Sequence, residues 1–150
     1  MTVIAWDGKI IAADKQASHC GLKREVTKLF ISTKGNEVLG FSQDYENGLG
    51  LIEWYNEGAV RRDWPAWQTE TSWGRLVVAG HKYLFCYEQL PFKQLYSVDP
   101  TAFGSGRDFA LGAMAAGADA IRAVEIACRF SDSCGMGIDA YDLETMEKIR

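Results

Sequence analysis

Threonine at position 2 carries a hydroxyl and, once Met1 is removed, a free α-amine on the same residue. A small residue after the initiator methionine permits that removal. The α-amine has a reference pKa near ~8, so part of it is neutral at cellular pH. It can then take the hydroxyl proton, directly or through one water, while the oxygen attacks an amide carbonyl. No histidine base is needed, which suits a chain whose two histidines, His19 and His81, lie outside every motif. A threonine here is also common as the plain start of a strand, so partners are required before it predicts a nucleophile.

Asp14 and Lys28 are the first candidate partners. Two short apolar runs, residues 2–6 and 9–13, are joined by an Asp-Gly dipeptide, which predicts a hairpin with a type I′ turn. The hairpin brings Asp14, at the end of its second strand, back toward Thr2. Taken singly, Asp14 fits a turn-facing carboxylate equally well, and Lys28 a solvent-facing position of an apolar strand. As a pair beside Thr2 they could act on its hydroxyl.

The rest of the sequence predicts strands and helices in blocks. Strands are expected at residues 25–33, 37–41, 75–79, 82–88, 92–98, 137–143 and 146–150, helices at 44–57, 106–116 and 119–130, a turn at 34–36, and a tryptophan-rich loop or short helix at 61–74. Asp44 and Asp119 are the expected N-caps. Strand runs separated by helix runs favour α+β layering over an alternating parallel fold. The strands are apolar on both faces, which predicts two sheets covered by helices outside.

Composition narrows the class of protein. The 150 residues suit a single domain spanning residues 1–150, with 47% hydrophobic and 24% charged residues and a net charge of −4. Without a basic run, nucleic acid is not expected as a partner. The apolar stretches are too short for a membrane span, and the N-terminus does not resemble a signal peptide, so we expect a cytoplasmic protein. Four scattered cysteines form no zinc motif, and the predicted chemistry requires neither a metal nor another cofactor.

Several segments, in the right order, resemble the proteasome β-subunit and HslV family of N-terminal nucleophile (Ntn) hydrolases. The opening "TVIAWDGKIIAADKQAS" is similar to the family's threonine, hairpin and aspartate. "EVTKLF" resembles its lysine-bearing strand, "EVLGFSQD" its strand into the first helix, and "FGSGRDFALGAMAAGADAIRAVEIAC" its GSG loop and two following helices. The resemblance covers most of the chain outside residues 60–74. It implies a four-layer αββα sandwich, which agrees with the layering inferred above.

The resemblance assigns a role to five residues. Thr2 is the nucleophile, and Asp14 keeps the ammonium of Lys28 charged and oriented next to the Thr2 oxygen. Gly40 matches the glycine whose backbone N–H faces the tetrahedral oxyanion, and Ser105 matches the serine that hydrogen-bonds the terminal amine. Simpler interpretations remain for the last two residues: Gly40 could be a strand-end glycine with a packing role, and Ser105 a loop serine at a helix start.

The family pattern also implies substrate and partners. A threonine peptidase would cleave peptides or unfolded proteins, as a homo-oligomer such as a ring, and a closed ring would need an ATP-dependent unfoldase. The residues expected to flank the pocket, Ala17, Val26 and Val38, favour cleavage after apolar residues. An Ntn amidase acting on a small amide and a non-catalytic oligomeric relative stay open as alternatives.

Two departures from the family pattern bear on these expectations. Before the last strands, many members have an acid followed by a hydroxyl residue. In "SDSCGMGID" those positions hold Ser131 and Cys134, with Asp132 one place off. Residues 61–74 stand where the family has a full second helix, which bears on ring assembly because outer helices help to build subunit contacts.

Overall fold

Strands and three α-helices account for most of residues 2–96 and 100–150, the part of the chain that the computed structural model describes. The strands are β1 (Ile4–Trp6), β2 (Ile10–Asp14), β3 (Gln16–His19), β4 (Leu22–Glu25), β5 (Leu29–Ile31), β6 (Val38–Gln43), β7 (Gly74–Gly80), β8 (Tyr83–Tyr87), β9 (Gln94–Tyr96), β10 (Thr101–Phe103) and β11 (Ile138–Asp142). The helices are α1 (Tyr45–Asn56), α2 (Arg107–Ala115) and α3 (Ala120–Phe130), with a 3₁₀ turn at Arg61–Asp63. Among these helices, none has the length and apolar character needed to cross a membrane.

The strands form three antiparallel sheets. One has the order β10-β1-β2-β11, a second the order β5-β6-β7-β8-β9, and β3 and β4 form a separate pair. Every ladder in the described ranges is antiparallel. The chain is therefore an α+β protein, as its sequence predicts.

Three apolar clusters occupy the faces of the two larger sheets. Strand β1 shows how alternation divides them: Ala5 packs with α2 and α3, whereas Ile4 and Trp6 pack with residues of β7 and β8. A third cluster joins β6, β7 and β8 to α1, with Leu51 and Trp54 on the helix side. Successive side chains of a strand point to opposite faces, so both faces of these strands are buried. This explains why their sequences do not alternate between apolar and polar.

The β1–β2 hairpin closes through a turn of a different type from the one predicted. Gly8 has a φ of 92°, but Lys9, the second central residue, is not in the left-handed region. Positive φ at the first central position alone is typical of a type II′ turn, so the type I′ prediction is wrong. Asp7 accepts hydrogen bonds from the N–H groups of Lys9 and Ile10, at 2.9 and 2.7 Å, and of Ala120 at 2.9 Å. The turn thus fixes the start of α3 against the hairpin.

The predicted strand at residues 25–33 is interrupted in the structure. β4 ends at Glu25 and β5 begins at Leu29, so Lys28 lies in the connecting segment. The sequence reasoning also missed the β3–β4 hairpin, whose central residues Cys20 and Gly21 have φ values of 49° and 79°. Positive φ at both positions is the type I′ geometry, and Cys-Gly is a weaker signal for it than Asn-Gly or Asp-Gly.

The helices agree with their predicted positions. Asp44 and Asp119 are N-caps, accepting from the N–H of Asn47 at 3.0 Å and of Arg122 at 2.8 Å. Residues 61–74 form the 3₁₀ turn and a loop, and Trp64 packs edge-on against Trp54 of α1 with ring centres 4.8 Å apart.

The strand predictions after α1 are less complete. The predicted strand at 146–150 is only an isolated bridge between Tyr141 and Lys148. Of the predicted strand at 92–98, Gln94–Tyr96 is β9, and residues 97–98 lie outside the described part of the chain. The short strand β10, which flanks β1, was not predicted.

Candidate active site

Thr2, Asp14 and Lys28 meet at one buried point. The Thr2 Oγ1 atom donates to Asp14 Oδ1 at 2.8 Å and accepts from Lys28 Nζ at 2.6 Å, and Lys28 Nζ also donates to Asp14 Oδ1 at 2.7 Å. The exposed fractions of the three residues are 3%, 0% and 2%. An ammonium and a carboxylate therefore both contact one hydroxyl oxygen in a place with little water.

The Asp14 carboxylate is held by the backbone on both oxygens. Oδ1 accepts from the N–H of Val3 at 3.0 Å, and Oδ2 accepts from the N–H groups of Gln16 at 3.1 Å and Gly135 at 3.0 Å. Hydrogen bonds to the ionised form favour the charge of a carboxylate. The end of β2, the start of β3 and the loop before β11 thus fix one anion beneath Thr2.

Lys28 is buried next to that anion. Burial lowers the pKa of the Lys28 ammonium below its ordinary 10.5, and the attraction and hydrogen bond of Asp14 oppose this change. Desolvation disfavours a charged amine, whereas an adjacent carboxylate favours it. A cation at Thr2 Oγ1 stabilises negative charge that develops on this oxygen, which is the electrostatic requirement for a hydroxyl nucleophile.

Ser105 contacts Thr2 at its backbone nitrogen. The Thr2 N–H donates to Ser105 Oγ at 3.1 Å, and the Thr2 carbonyl accepts from the N–H of Gly106 at 3.1 Å. Gly104 makes this approach possible, because a Cβ atom built there would lie 2.2 Å from the Thr2 carbonyl oxygen, and its φ is 93°. The glycine-serine-glycine sequence therefore fits the backbone of Thr2 closely.

Gly40 is not brought to this point. It lies within β6, opposite Leu29 of β5 and Val77 of β7, and a Cβ built on it would meet Leu29 Cδ2 at 2.8 Å. Hydrogen-bonded and non-hydrogen-bonded pairs alternate along an antiparallel ladder. Just past the end of β6, the Asp44 N–H donates to the carbonyl of Trp73, on the β7 side, at 3.2 Å. Gly40 comes four residues earlier, an even number, so its N–H also points to β7. Its N–H is used within the sheet, so the placement predicted from the motif is wrong.

Gln43, which the sequence reasoning missed, has a backbone N–H that the sheet does not use. By the same alternation its pair with Gly74 is not hydrogen-bonded, so the Gln43 N–H points away from β7. On that side β5 pairs with β6 only as far as Gly40, which leaves this N–H outside the ladder. Gln43 has a φ of 76°, a sparsely populated conformation for a residue other than glycine. Glutamine is not a residue whose type signals such a conformation, which is why the sequence did not reveal it.

Two cavities adjoin Thr2. The larger has a volume of about 860 Å³, and the smaller about 250 Å³. Both are lined by Thr2 and Gln43; Lys28 lines the larger, and Ser105 the smaller. Lys28, which contacts the Thr2 hydroxyl, and Ser105, which contacts the Thr2 nitrogen, thus line different cavities. A bound peptide could extend from the larger cavity to the smaller one across Thr2.

The lining of the larger cavity differs from the prediction. Ala17 lines it, but Val38 is 0% exposed in the cluster between the larger sheets and Val26 is 7% exposed, and neither contributes to the wall. The wall combines apolar and aromatic residues, among them Leu22, Phe41 and Tyr45, with the charged residues Lys23, Arg24, Asp44 and Glu46. The prediction that Val26 and Val38 flank this cavity is therefore wrong, and the preference for cleavage after apolar residues stays a prediction.

Ser42 is a further polar residue of the same cavity wall. It is 1% exposed, and within the described ranges its hydroxyl oxygen has no hydrogen-bond partner. A buried polar atom without a partner is costly, so the Ser42 hydroxyl is a local cost to stability beside the cavity.

The segment that departs from the family pattern contacts the site through its backbone. Gly135 donates to Asp14, and the Asp132 carbonyl accepts from Gln16 Nε2 at 2.9 Å. Asp132 itself is exposed, and Ser131 Oγ accepts from the N–H of Ser133 at 3.3 Å. None of Ser131, Asp132 and Cys134 lines either of the two cavities.

Cys134 is a buried thiol rather than a second nucleophile. It packs with the apolar residues between β1 and the helices α2 and α3. Burial raises the pKa of the Cys134 thiol to about 11, so the thiol stays protonated near neutral pH. All four cysteines are free, and Cys20 is the exposed one among them.

Comparison with solved structures identifies the fold. BPH from Thiobacillus denitrificans superposes with a TM-score of 0.70 at 20% identity, over 95% of this chain and 98% of BPH. BPH in complex with epoxomicin gives 0.72 at 22% identity, over 95% and 99% of the two chains. Eukaryotic HslV from Trypanosoma brucei gives 0.66 at 19% identity, over 93% and 96%. The fold is proteasome-like. No protein-family model and no curated protein sequence matches the chain, so the structural likeness establishes the fold and the active-site residues must support the function.

Proposed function

We propose that this protein is a threonine-type peptidase in which Thr2, once Met1 is removed, is the N-terminal nucleophile. One observation carries the proposal: Thr2 Oγ1 lies 2.6 Å from the ammonium of Lys28, while its backbone nitrogen lies 3.1 Å from Ser105 Oγ, at the junction of two cavities. The oxygen has a cation to stabilise it, and the nitrogen has a polar neighbour to orient it.

The chemistry begins when loss of Met1 turns the Thr2 nitrogen into an amine with a reference pKa near ~8. The neutral amine accepts the Oγ1 proton, directly or through one water, as Oγ1 attacks the substrate carbonyl carbon. Lys28 stabilises the negative charge on Oγ1, and Asp14 positions Lys28. The tetrahedral intermediate then loses its amine fragment, which takes the proton, and an ester to Oγ1 remains. Water attacks this ester to release the acid product and restore Thr2.

The oxyanion of that intermediate needs a hydrogen-bond donor. The Gln43 N–H replaces the Gly40 N–H in this role, since it lies outside the sheet ladder in a residue that lines both cavities. A preorganised donor of this kind typically contributes ~3 kcal/mol to transition-state stabilisation. The donor is a backbone group, so the identity of the side chain matters less than the conformation of residue 43.

A peptide is a better match to these cavities than a small amide. The larger cavity, of about 860 Å³, lies within the range of drug-sized ligand sites, and a second cavity continues beyond Thr2. Substrate residues on the two sides of the scissile bond would fill the two cavities.

The assembly belongs to the same proposal. The four-layer αββα sandwich is supported by the three apolar clusters that link α2 and α3, the two larger sheets, and α1. A homo-oligomer, as a ring that receives unfolded chains from an ATP-dependent unfoldase, follows from the family resemblance. Light scattering on the purified protein distinguishes a ring from a small oligomer.

The test of the proposal combines processing and hydrolysis. Intact mass shows whether Met1 has been removed, and a fluorogenic peptide library measures cleavage by the processed protein. We expect hydrolysis by the wild type and none by Thr2→Ala or by a folded Lys28→Ala variant. Equal hydrolysis by wild type and Thr2→Ala would overturn the nucleophile assignment. A processed, folded wild type that cleaves only small amides would replace the peptidase by an amidase.

A further inference from the structure

The smaller cavity beside Thr2 contains one charged side chain. Thr2, Gln43, Gly104 and Ser105 line it together with Arg107, the first residue of α2. The Arg107 side chain is 56% exposed, and its Nε lies 3.6 Å from the carboxylate of Asp108, which is 87% exposed. An ion pair this exposed and this long is weak, so Asp108 does not neutralise the guanidinium for a bound group.

The proton transfer assigns this cavity to one side of the substrate. This assignment rests on the proposed function, in which the Thr2 nitrogen takes the proton from Oγ1. That proton must pass to the nitrogen of the departing amine as the peptide C–N bond breaks and the Thr2 ester forms. The departing nitrogen must therefore approach the Thr2 nitrogen. That nitrogen is hydrogen-bonded to Ser105 Oγ at 3.1 Å, and Ser105 lines the smaller cavity but not the larger. The fragment that leaves as an amine consequently lies in the smaller cavity, and the fragment that forms the ester lies in the larger.

We propose that Arg107 selects substrates with a carboxylate on the leaving side, such as an aspartate or glutamate directly after the scissile bond. The cavity, of about 250 Å³, holds about one side chain with its backbone. A guanidinium binds a carboxylate through two parallel N–H···O bonds, which gives geometric specificity that a lysine would not match. Because the guanidinium is half exposed, the effect on selectivity is moderate rather than absolute.

The test uses peptide pairs that differ only in the first residue after the scissile bond, with Asp against Asn and Glu against Gln. The wild type should cleave the acidic member with a kcat/KM about fivefold higher, and the preference should fall as ionic strength rises. Arg107→Gln should show a ratio near one, and Arg107→Glu should prefer Lys at the same position. Asp108→Asn is the matched control, which changes the adjacent charge outside the cavity and should retain the acidic preference.

Labelling by a peptide epoxyketone separates the two proposals, because this probe reacts with Thr2 and carries no leaving fragment. A wild type that is labelled and cleaves peptides with no preference for the acidic member overturns the role of Arg107 and leaves the peptidase proposal intact. The same holds if Arg107→Gln keeps the full acidic preference. A wild type that is neither labelled nor hydrolytic after Met1 removal overturns the proposed function itself. Arg107→Glu provides an inversion of preference that loss of folding cannot mimic.

Discussion

Replacing Asp14 by asparagine should severely destabilise the fold, because the carboxylate is 0% exposed and accepts from donors in four parts of the chain. The amide can keep an oxygen toward Lys28 Nζ and Val3 N–H, but its NH₂ group then faces the N–H groups of Gln16 and Gly135. The reverse orientation directs the NH₂ group at the Lys28 ammonium. Neither orientation satisfies all of the donors.

The magnitude follows from these contacts. Removing one partner of a buried ion pair typically costs about 3–5 kcal/mol, because the other charge is left buried and uncompensated. The side-chain exposures of the pair are 3% for Lys28 and 0% for Asp14. Leaving a buried N–H without an acceptor costs about 1–3 kcal/mol more. We therefore expect Asp14→Asn to lower the free energy of unfolding by at least ~4 kcal/mol, a large share of the ~5–15 kcal/mol that small domains have.

Asp139→Asn is the matched control for this substitution. Asp139 is 2% exposed and lies beside Asp14 in the sheet, opposite Ala13, but it contacts the Lys148 ammonium, whose side chain is 50% exposed. Its Oδ2 atom has no partner among the described residues, so the asparagine NH₂ group can take that place without meeting a donor. The exposed partner limits the loss to about 0–1 kcal/mol.

Urea unfolding followed by tryptophan fluorescence measures both variants. The double variant Asp14→Asn/Lys28→Met should recover part of the loss, because it removes the uncompensated ammonium as well. A loss for Asp14→Asn no greater than that for Asp139→Asn would refute the reasoning that the buried charge network stabilises the fold.

Three further predictions concern the reaction rather than the fold. Ser105→Ala should slow epoxyketone labelling about 5- to 30-fold, because it removes one hydrogen bond to the Thr2 nitrogen. A labelling rate equal to that of the wild type would show that Ser105 has no part in the mechanism. Gln43→Gly should be about 0.5–1 kcal/mol more stable in urea unfolding, because the φ of 76° is strained only with a side chain, and its labelling rate should stay within a few-fold of wild type. A labelling loss above about tenfold would show that the Gln43 side chain acts directly. The labelling rate should rise with pH as the Thr2 amine, with a reference pKa near ~8, loses its proton. The rate should fall again before pH 10.5, because burial lowers the pKa of Lys28 and its deprotonation removes the cation. A rate that stays constant up to pH 10.5 would contradict the need for a charged Lys28.

Local signals explain which parts of the site could be predicted. Asp14 reaches Thr2 because a two-residue hairpin, visible as two apolar runs around Asp-Gly, folds the chain back on itself. The N-caps Asp44 and Asp119 are equally local. Lys28 was placed beside Thr2 by motif, although the strand predicted around it is broken into β4 and β5.

The errors come from register and backbone conformation, which residue type does not reveal. Gly40 and Gln43 are three positions apart in β6, and an odd shift turns the backbone N–H from one neighbouring strand to the other. Val38 shares the face of β6 that packs against the other large sheet, so its apolar side chain belongs to the core and not to the cavity. The part of the cavity wall formed by residues 16–24 depends on the β3–β4 hairpin, whose Cys-Gly turn gave too weak a signal to predict.

The nucleophile assignment of Thr2 is tested most directly with a peptide epoxyketone and intact-mass analysis. The mass of the adduct is compared for the processed wild type, Thr2→Ser and Thr2→Ala. The Thr2→Ser variant keeps a hydroxyl and an amine on one residue, whereas Thr2→Ala keeps the amine alone. We expect one adduct per chain on the N-terminal residue of wild type and Thr2→Ser, and none on Thr2→Ala. An adduct of equal yield on Thr2→Ala, or none on a folded wild type that has lost Met1, would contradict the assignment of Thr2 as the nucleophile.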